Sequence, residues 1–244
     1  EGVNRPLDEG LKIEQEVSLD VVGSTVSANL IGVFFMNNQV AKDPGFGGTG
    51  AAPKDVSRVG VLGTGQMGSG IATAHCRRGI PATMVDVDDQ RIGWGLAAAK
   101  KTIESRMKIG RAAASDMADM LALLSTSTSK DAFSSCDVVV EAITENEEFK
   151  TAAYKELAPV MKDGAILASN TSTISITRMA ESTAHPERFV GMHFFYPVDR
   201  MQLVEVIRGD KTDDETVETV VKLSKRIGKT PIVMKDCPGF LVNR

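Results

Sequence analysis

The sequence has little of what builds metal centres or disulfide frameworks. Its 244 residues include three cysteines, Cys76, Cys136 and Cys237, and three histidines, His75, His185 and His193. An odd number of widely spaced cysteines argues against a disulfide-stapled fold and fits a reducing compartment. His75 and Cys76 are neighbours in a predicted helix and point in different directions, so no metal is expected. No apolar run approaches the roughly 20 residues that a membrane-spanning helix needs, and the best candidate, Leu30 to Met36, is far too short. No basic start followed by an apolar stretch marks a signal peptide. A formal net charge of −4 gives no broad field to attract nucleic acid. What is present is ordinary: 42% hydrophobic and 25% charged residues, enough for a full core.

The chain divides by pattern near residue 57. From Leu19 to about Lys42, the apolar residues Val22, Val26, Leu30 and Phe34 recur at four-residue steps, the mark of a helix. Such a stripe needs something to pack against. The run Asp43 to Pro53, rich in glycine and proline, reads as a flexible linker. Beyond Ser57, short apolar strands alternate with helices. Strands are predicted at 59–62, 83–85, 138–141, 165–168, 189–194, 203–207 and 231–234. Helices are predicted from Gln66, from Asp89, from the end of the 138–141 strand to about Met161, and over 214–227. This alternation predicts an α/β fold, a doubly wound and mostly parallel Rossmann-like sheet preceded by a helical segment. No internal repeat is visible.

The first strand runs into Gly63-Thr64-Gly65-Gln66-Met67-Gly68 and then a helix. In such a turn, Gly63 allows the tight bend, Gly65 lets the backbone approach a pyrophosphate, and Gly68 lets helix and strand pack closely. The helix N-terminus presents free N–H groups to the phosphates. The second strand ends at Asp86, 23 residues after Gly63, near the spacing of about 20 for a carboxylate on the adenosine ribose. A carboxylate there repels a 2′-phosphate, which favours NAD over NADP. Two further strand ends face the same crevice. At the first, Thr144 and Glu147 have capping-box spacing, while Glu145 and Lys150 either face the cofactor or are solvated helix charges. At the second, Ser169-Asn170-Thr171-Ser172 either holds a substrate oxygen or caps the next helix.

His193 and Glu205 lie in consecutive predicted strands. Glu205 shares a strand face with Leu203 and Ile207, so it is expected to be buried, and a buried carboxylate needs a partner. A turn over Tyr196–Arg200 would bring His193 beside it, where the carboxylate would fix the imidazole tautomer and support it as a base. The alternative is a core histidine and an unrelated carboxylate paired to a lysine or arginine.

The motifs Gly63-x-Gly65-x-x-Gly68, Val140-Glu141-Ala142-Ile143-x-Glu145-Asn146, Ser169-Asn170-Thr171-Ser172, Gly191-Met192-His193-Phe194-Phe195-x-Pro197-Val198, Leu203-Val204-Glu205-Val206 and Asp236 through Arg244 occur in that order. Together they resemble the L-3-hydroxyacyl-CoA dehydrogenase family, in the form found within multifunctional fatty-acid β-oxidation enzymes. The resemblance covers roughly residues 58–244. It implies NAD-dependent oxidation of a 3-hydroxyacyl-CoA, with His193 taking the hydroxyl proton and Glu205 orienting it. It also implies that Ser172 and Asn243 contact the reacting oxygen, that Asp86 binds the ribose, and that Met67, Ile143, Thr144, Glu145 and Lys150 line the cofactor. Tyr196 stands where the family usually has asparagine beside the nicotinamide. The family continues beyond the Asn243-Arg244 motif into a helical domain, and the resemblance leads to the expectation that this chain is a fragment without it. Residues 1–57 resemble the end of an enoyl-CoA hydratase module with its linker.

The expected whole is therefore a bifunctional enzyme of which this chain is a central fragment. An acyl-CoA substrate is expected, with no nucleic acid or membrane partner. The full-length protein is expected to be oligomeric, with a thiolase subunit as a candidate partner. Bacterial cytoplasm is the expected compartment, with peroxisome and mitochondrion as others. The alternatives are an NAD-binding module without turnover and a stand-alone 3-hydroxybutyryl-CoA dehydrogenase. The N-terminal helix and linker argue against the last.

Overall fold

The computed structural model describes residues 4–42 and 50–244; most of the expected linker therefore lies outside the described residues. The chain forms two compact units, Glu1–Asp43 and Pro44–Arg244.

The first unit is a helix pair, α1 (Leu7–Val22) and α2 (Thr25–Lys42). The single helix predicted from Leu19 is broken at Gly23-Ser24. There the Ser24 hydroxyl donates to Val21 O at 2.6 Å and accepts from Ser27 N at 3.1 Å, so one side chain ends α1 and starts α2. The stripe Val22, Val26, Leu30 and Phe34 is exposed, and α1 buries no residue. Among the described residues no single helix is long and apolar enough to cross a membrane.

The second unit is an eight-stranded sheet with helices between its strands. In chain order its elements are β1 (Val59–Leu62), α3 (Gln66–Cys76), β2 (Ala82–Val85), α4 (Asp89–Lys108), α5 (Ala114–Leu123), β3 (Leu124–Ser127), β4 (Val138–Glu141), α6 (Glu147–Leu157), β5 (Ile166–Ser169), α7 (Ile176–Ala180), β6 (Phe189–Phe194), β7 (Leu203–Arg208), α8 (Asp214–Arg226) and β8 (Thr230–Lys235). The strand order is β3-β2-β1-β4-β5-β6-β7-β8. The strands from β3 through β6 are parallel; β7 runs antiparallel to β6, and β8 parallel to β7. β1, β2, β4, β5 and β6 are buried along their whole length, as continuous apolar strands between two helical layers must be.

This order sets the ligand crevice. The chain leaves β1 for β2 and β3 on one side, then crosses back to β4 on the other, so β1 and β4 flank the switch point. Gly63 closes the β1 turn at φ +98°, and a Cβ there would lie 2.7 Å from Ala142 O at the end of β4. Only glycine fits both the left-handed backbone and that contact.

Residues just before β1 are tied to this unit. Lys54 N donates to Thr219 Oγ1 at 2.9 Å, and Lys54 Nζ pairs with Glu215 at 2.7 Å. Ser57 N and Oγ both donate to Asp137 Oδ2, at 2.8 and 2.7 Å.

Candidate active site

At the β1 turn, α3 starts at Gly65 with no side-chain cap. By contrast α4, α6, α7 and α8 are capped by Asp88, Asn146, Ser175 and Asp213. The free N–H groups of α3 are therefore left for another acceptor. A Cβ at Gly65 would meet nothing within 4 Å, whereas one at Gly68 would lie 1.9 Å from Gly63 O. Gly68 is thus required by helix–strand packing, while Gly65 borders open space. Asp86 stands at the end of β2. Its Oδ2 accepts from Thr64 N and Oγ1 at 2.8 and 2.9 Å, and its Oδ1 accepts from Val87 N at 2.8 Å. Open space at Gly65, an uncapped helix and a fixed carboxylate one strand away fit the pyrophosphate and ribose of a dinucleotide. Thr64 went unnoticed in the sequence, although its place between two glycines of the fingerprint marks it.

β6 and β7 place His193 directly opposite Glu205 in their antiparallel ladder. His193 Nδ1 lies 2.6 Å from Glu205 Oε2, and the two residues are 5% and 0% exposed. A carboxylate only accepts, so Nδ1 carries the proton and Nε2 presents the lone pair. Among the described residues nothing bonds to Nε2. The other carboxylate oxygen, Oε1, accepts from Leu241 N and Val242 N, both at 2.9 Å. Those two amides are aimed by a turn in which Gly239 and then Phe240 adopt φ +74° and +51°. A left-handed phenylalanine is rare. Here its ring is fully buried, 5.9 Å from the His193 ring, with Phe195 at 4.5 Å. Sequence reading found His193 and Glu205 but missed these amides; Pro238-Gly239 was the available turn signal.

The loops after β4 and β5 are tied to each other and to β6. Asn170 Oδ1 accepts from Phe194 N at 2.9 Å. Glu145 Oε1 accepts from Thr171 Oγ1 at 2.6 Å and Ser172 N at 2.8 Å. Burial acts to raise the Glu145 pKa, but the bonds from Thr171 and Ser172, with the Lys150 charge, outweigh it and hold the carboxyl below its ordinary value. Asn243 Nδ2 reaches Ser172 O at 3.5 Å, so these two predicted residues are neighbours. The Ser169–Ser172 cluster does not cap α7; Ser175 does.

Two expectations are corrected. Thr144 does not cap α6. Asn146 accepts from Phe149 N at 3.0 Å, because the helix begins at Glu147, and Thr144 is left exposed. Lys150 is no solvated charge: it is 1% exposed, with Nζ 2.5 Å from Glu141 Oε1 and 3.4 Å from Glu145. Glu141, itself wholly buried, also accepts from Ile143 N at 2.9 Å, Tyr154 Oη at 2.7 Å and Ser169 Oγ at 2.7 Å. Lys150 therefore stands behind the Ile143–Glu145 loop. Met67 is partly buried, and Tyr196 is 62% exposed.

The family model for the 3-hydroxyacyl-CoA dehydrogenase NAD binding domain matches residues 58–237. The chain belongs to this family. Its members' dinucleotide is NAD, and the β1 turn, α3 terminus and Asp86 of this chain suit that cofactor. Over 242 residues the chain is 40% identical to the fatty acid oxidation complex subunit alpha of Psychrobacter cryohalolentis, covering 99% of this chain and 33% of that one. It is 44% identical over 237 residues to the same subunit from Pseudomonas syringae pv. tomato, covering 97% and 33%. The chain thus spans about a third of the length of the curated relatives it matches. Among solved structures, (S)-3-hydroxybutyryl-CoA dehydrogenase from Ralstonia eutropha aligns with a TM-score of 0.77 and 43% identity, over 78% of this chain and 67% of that one. The dehydrogenase part of a C. elegans multifunctional enzyme aligns at 0.71 and 25%, over 78% and 44%.

Proposed function

We propose that this chain is the dinucleotide-binding and acid–base half of an enzyme that oxidises L-3-hydroxyacyl-CoA to 3-ketoacyl-CoA. The observation that carries the proposal is the buried His193–Glu205 pair at 2.6 Å, with Nε2 left unbonded. NAD, when bound, supplies the hydride acceptor. Gly63, Gly65, Met67, Gly68, Asp86, Ile143, Thr144, Glu145 and Tyr196 are the residues proposed to hold it, with Lys150 supporting Glu145 from beneath. His193 Nε2 takes the proton of the 3-hydroxyl. Glu205 holds the ring in the competent tautomer and faces the positive charge that then develops. Ser172 and Asn243, on neighbouring loops, bind the reacting oxygen.

Residues 1–57 are proposed as the end of an upstream hydratase-like module with its linker, and 58–244 as the dehydrogenase domain. The relatives named as complex subunits align through α1 and α2, over 99% of this chain, while the Ralstonia dehydrogenase covers 78%. That favours a multifunctional enzyme over a stand-alone dehydrogenase. The relatives' name supports a multi-subunit assembly, in which we include a thiolase subunit, and their bacterial sources support a cytoplasmic setting.

The test is fluorescence titration of the chain with NADH and NADPH, beside Asp86→Ala. Saturable NADH binding, weak NADPH binding and loss of that preference in the variant are expected. Equal affinity for both cofactors in the parent chain would remove Asp86 from its role.

A further inference from the structure

Among the described residues one non-glycine adopts a positive φ, Phe240 at +51°. A residue with a Cβ pays free energy for that backbone, and a native fold keeps it only where the surroundings over-determine it. The two residues that follow do not supply the reason by burial, since Leu241 and Val242 are each 51% exposed. Their amides do point inward, and both donate to Glu205 Oε1 at 2.9 Å. The left-handed turn therefore carries two donors to a carboxylate that is wholly buried.

The turn is anchored at both ends and at its centre. Asp236 N donates to Arg208 O at 3.0 Å, at the end of β7. Asp236 Oδ2 accepts from Ser175 Oγ at 2.6 Å and Thr177 N at 2.8 Å, at the start of α7. Phe240 N donates to Cys237 O at 3.1 Å, and Asn243 N donates to Gly239 O at 3.0 Å. A Cβ at Gly239 would lie 2.7 Å from Asn243 O, so the chain can fold back this closely only on glycine. The peptide between Phe240 and Leu241 is held on both sides. Its carbonyl accepts from Cys237 Sγ at 3.5 Å, while its N–H meets Glu205. The same turn delivers Asn243, whose Nδ2 lies 3.5 Å from Ser172 O. One left-handed residue thus stands between the orienting carboxylate and the pair proposed to bind the reacting oxygen.

A buried carboxylate needs both oxygens filled. His193 fills Oε2 of Glu205, and only the turn fills Oε1. An empty Oε1 would let the carboxylate rotate toward another donor. Nδ1 of His193 would then lose its fixed acceptor, and the neutral ring could carry its hydrogen on Nε2, the atom that must take the substrate proton. We propose that Phe240 is a positioning residue for the acid–base pair: its left-handed backbone aims the Leu241 and Val242 amides at Glu205, and through Glu205 keeps the lone pair of His193 on Nε2. The inference rests on the reading of His193 as the base.

The test is NMR of the imidazole nitrogens in the labelled chain under mildly alkaline conditions, which reads each ring's tautomer. The chain has three histidines, and the signals lost in His193→Gln assign that ring. His75, which donates Nδ1–H to Ile71 O, is the internal check that a variant keeps its fold. Phe240→Gly loses the ring but takes the left-handed backbone at no steric cost. Phe240→Val keeps more apolar volume, but its branched Cβ resists that backbone. The Nδ1–H tautomer of His193 is expected in the parent and in Phe240→Gly, and mixed tautomers in Phe240→Val. If ring packing alone mattered, the valine substitution would be the milder one. That reversed order overturns the inference, as does survival of the tautomer in both variants or its loss in both. If Phe240→Val does not fold, Phe240→Ala takes its place, and equal tautomer populations in Phe240→Ala and Phe240→Gly overturn the inference. In the full-length enzyme, kcat should fall about tenfold in Phe240→Val, as for outer-shell partners of ligating histidines, and recover in Phe240→Gly with KM unchanged. A parent chain without Nδ1–H on His193 would sink the acid–base reading itself, whereas failure confined to the variants removes only Phe240 from its role.

Discussion

Among the described residues two glutamates, Glu141 and Glu205, are completely buried, and they do different things. Glu141, at the end of β4, has both oxygens filled from inside the protein by Lys150, Tyr154, Ser169 and the Ile143 amide. Every contact closes on the protein, and the result is a clamp beneath the loops after β4 and β5. Glu205, in β7, also has both oxygens filled, by two amides and His193. Here one donor is a ring whose far nitrogen bonds nothing. Burial of a carboxylate therefore does not mark catalysis; what marks it is whether the network ends in an atom that a substrate can reach.

The comparison predicts opposite consequences for the two partners. In the full-length enzyme, His193→Gln should cut turnover by about 10²–10⁴-fold, the range for loss of a general base, with NADH affinity retained. Steady-state kinetics that do not change would break the comparison at its open end. At the closed end, Lys150→Met leaves Glu141 charged and unpaired in the core, and denaturant unfolding should show a loss of about 3–5 kcal/mol. A change near zero would mean that the clamp is not sealed from water.

A third buried ionisable group tests whether sealing alone has a signature. His75 is 0% exposed, donates Nδ1–H to Ile71 O at 2.8 Å and has Nε2 buried without a partner. Burial lowers its pKa from 6.5 to about 4. The unfolded chain then binds a proton that the folded one refuses, so stability is full above pH 6.5 and falls as pH drops toward 4, by about 3 kcal/mol. Urea unfolding at pH 7 and pH 4.5 reads this, and His75→Leu should flatten that part of the slope; an unaltered slope assigns the acid sensitivity elsewhere. Asp137, held to about 2, titrates below this window. The smallest effect leaves all three groups untouched. Gly65→Ala should keep stability within about 0.5 kcal/mol, because its Cβ meets nothing, yet weaken NADH about tenfold by crowding the pyrophosphate. Unweakened binding would move the dinucleotide away from α3.

What the sequence reveals follows the physics of each part. The buried parallel strands are legible because continuous apolar runs have few other uses. β3, Leu-Ser-Thr-Ser at the sheet edge, carries no such pattern and was missed. A charge in an apolar strand demands a partner, which left the His193–Glu205 pair as one of two readings, and the family resemblance chose between them. Glu141 was not legible, because it ends its strand, where a polar residue looks ordinary. Lys150 was left between a cofactor-facing residue and a solvated charge, because its burial depends on a glutamate nine residues earlier and a tyrosine four later, which only the fold brings together.

The ladder between β6 and β7 works as a ruler. His193 meets Glu205 because the two are register partners, and a slip of one residue would offer Val204 or Val206 in place of the carboxylate. The distance between acid and base is set by the strands and not by the connection that joins them. A change in the length of that connection, from Phe195 to Gln202, would therefore leave Nδ1 opposite Oε2 as long as the β6–β7 register holds.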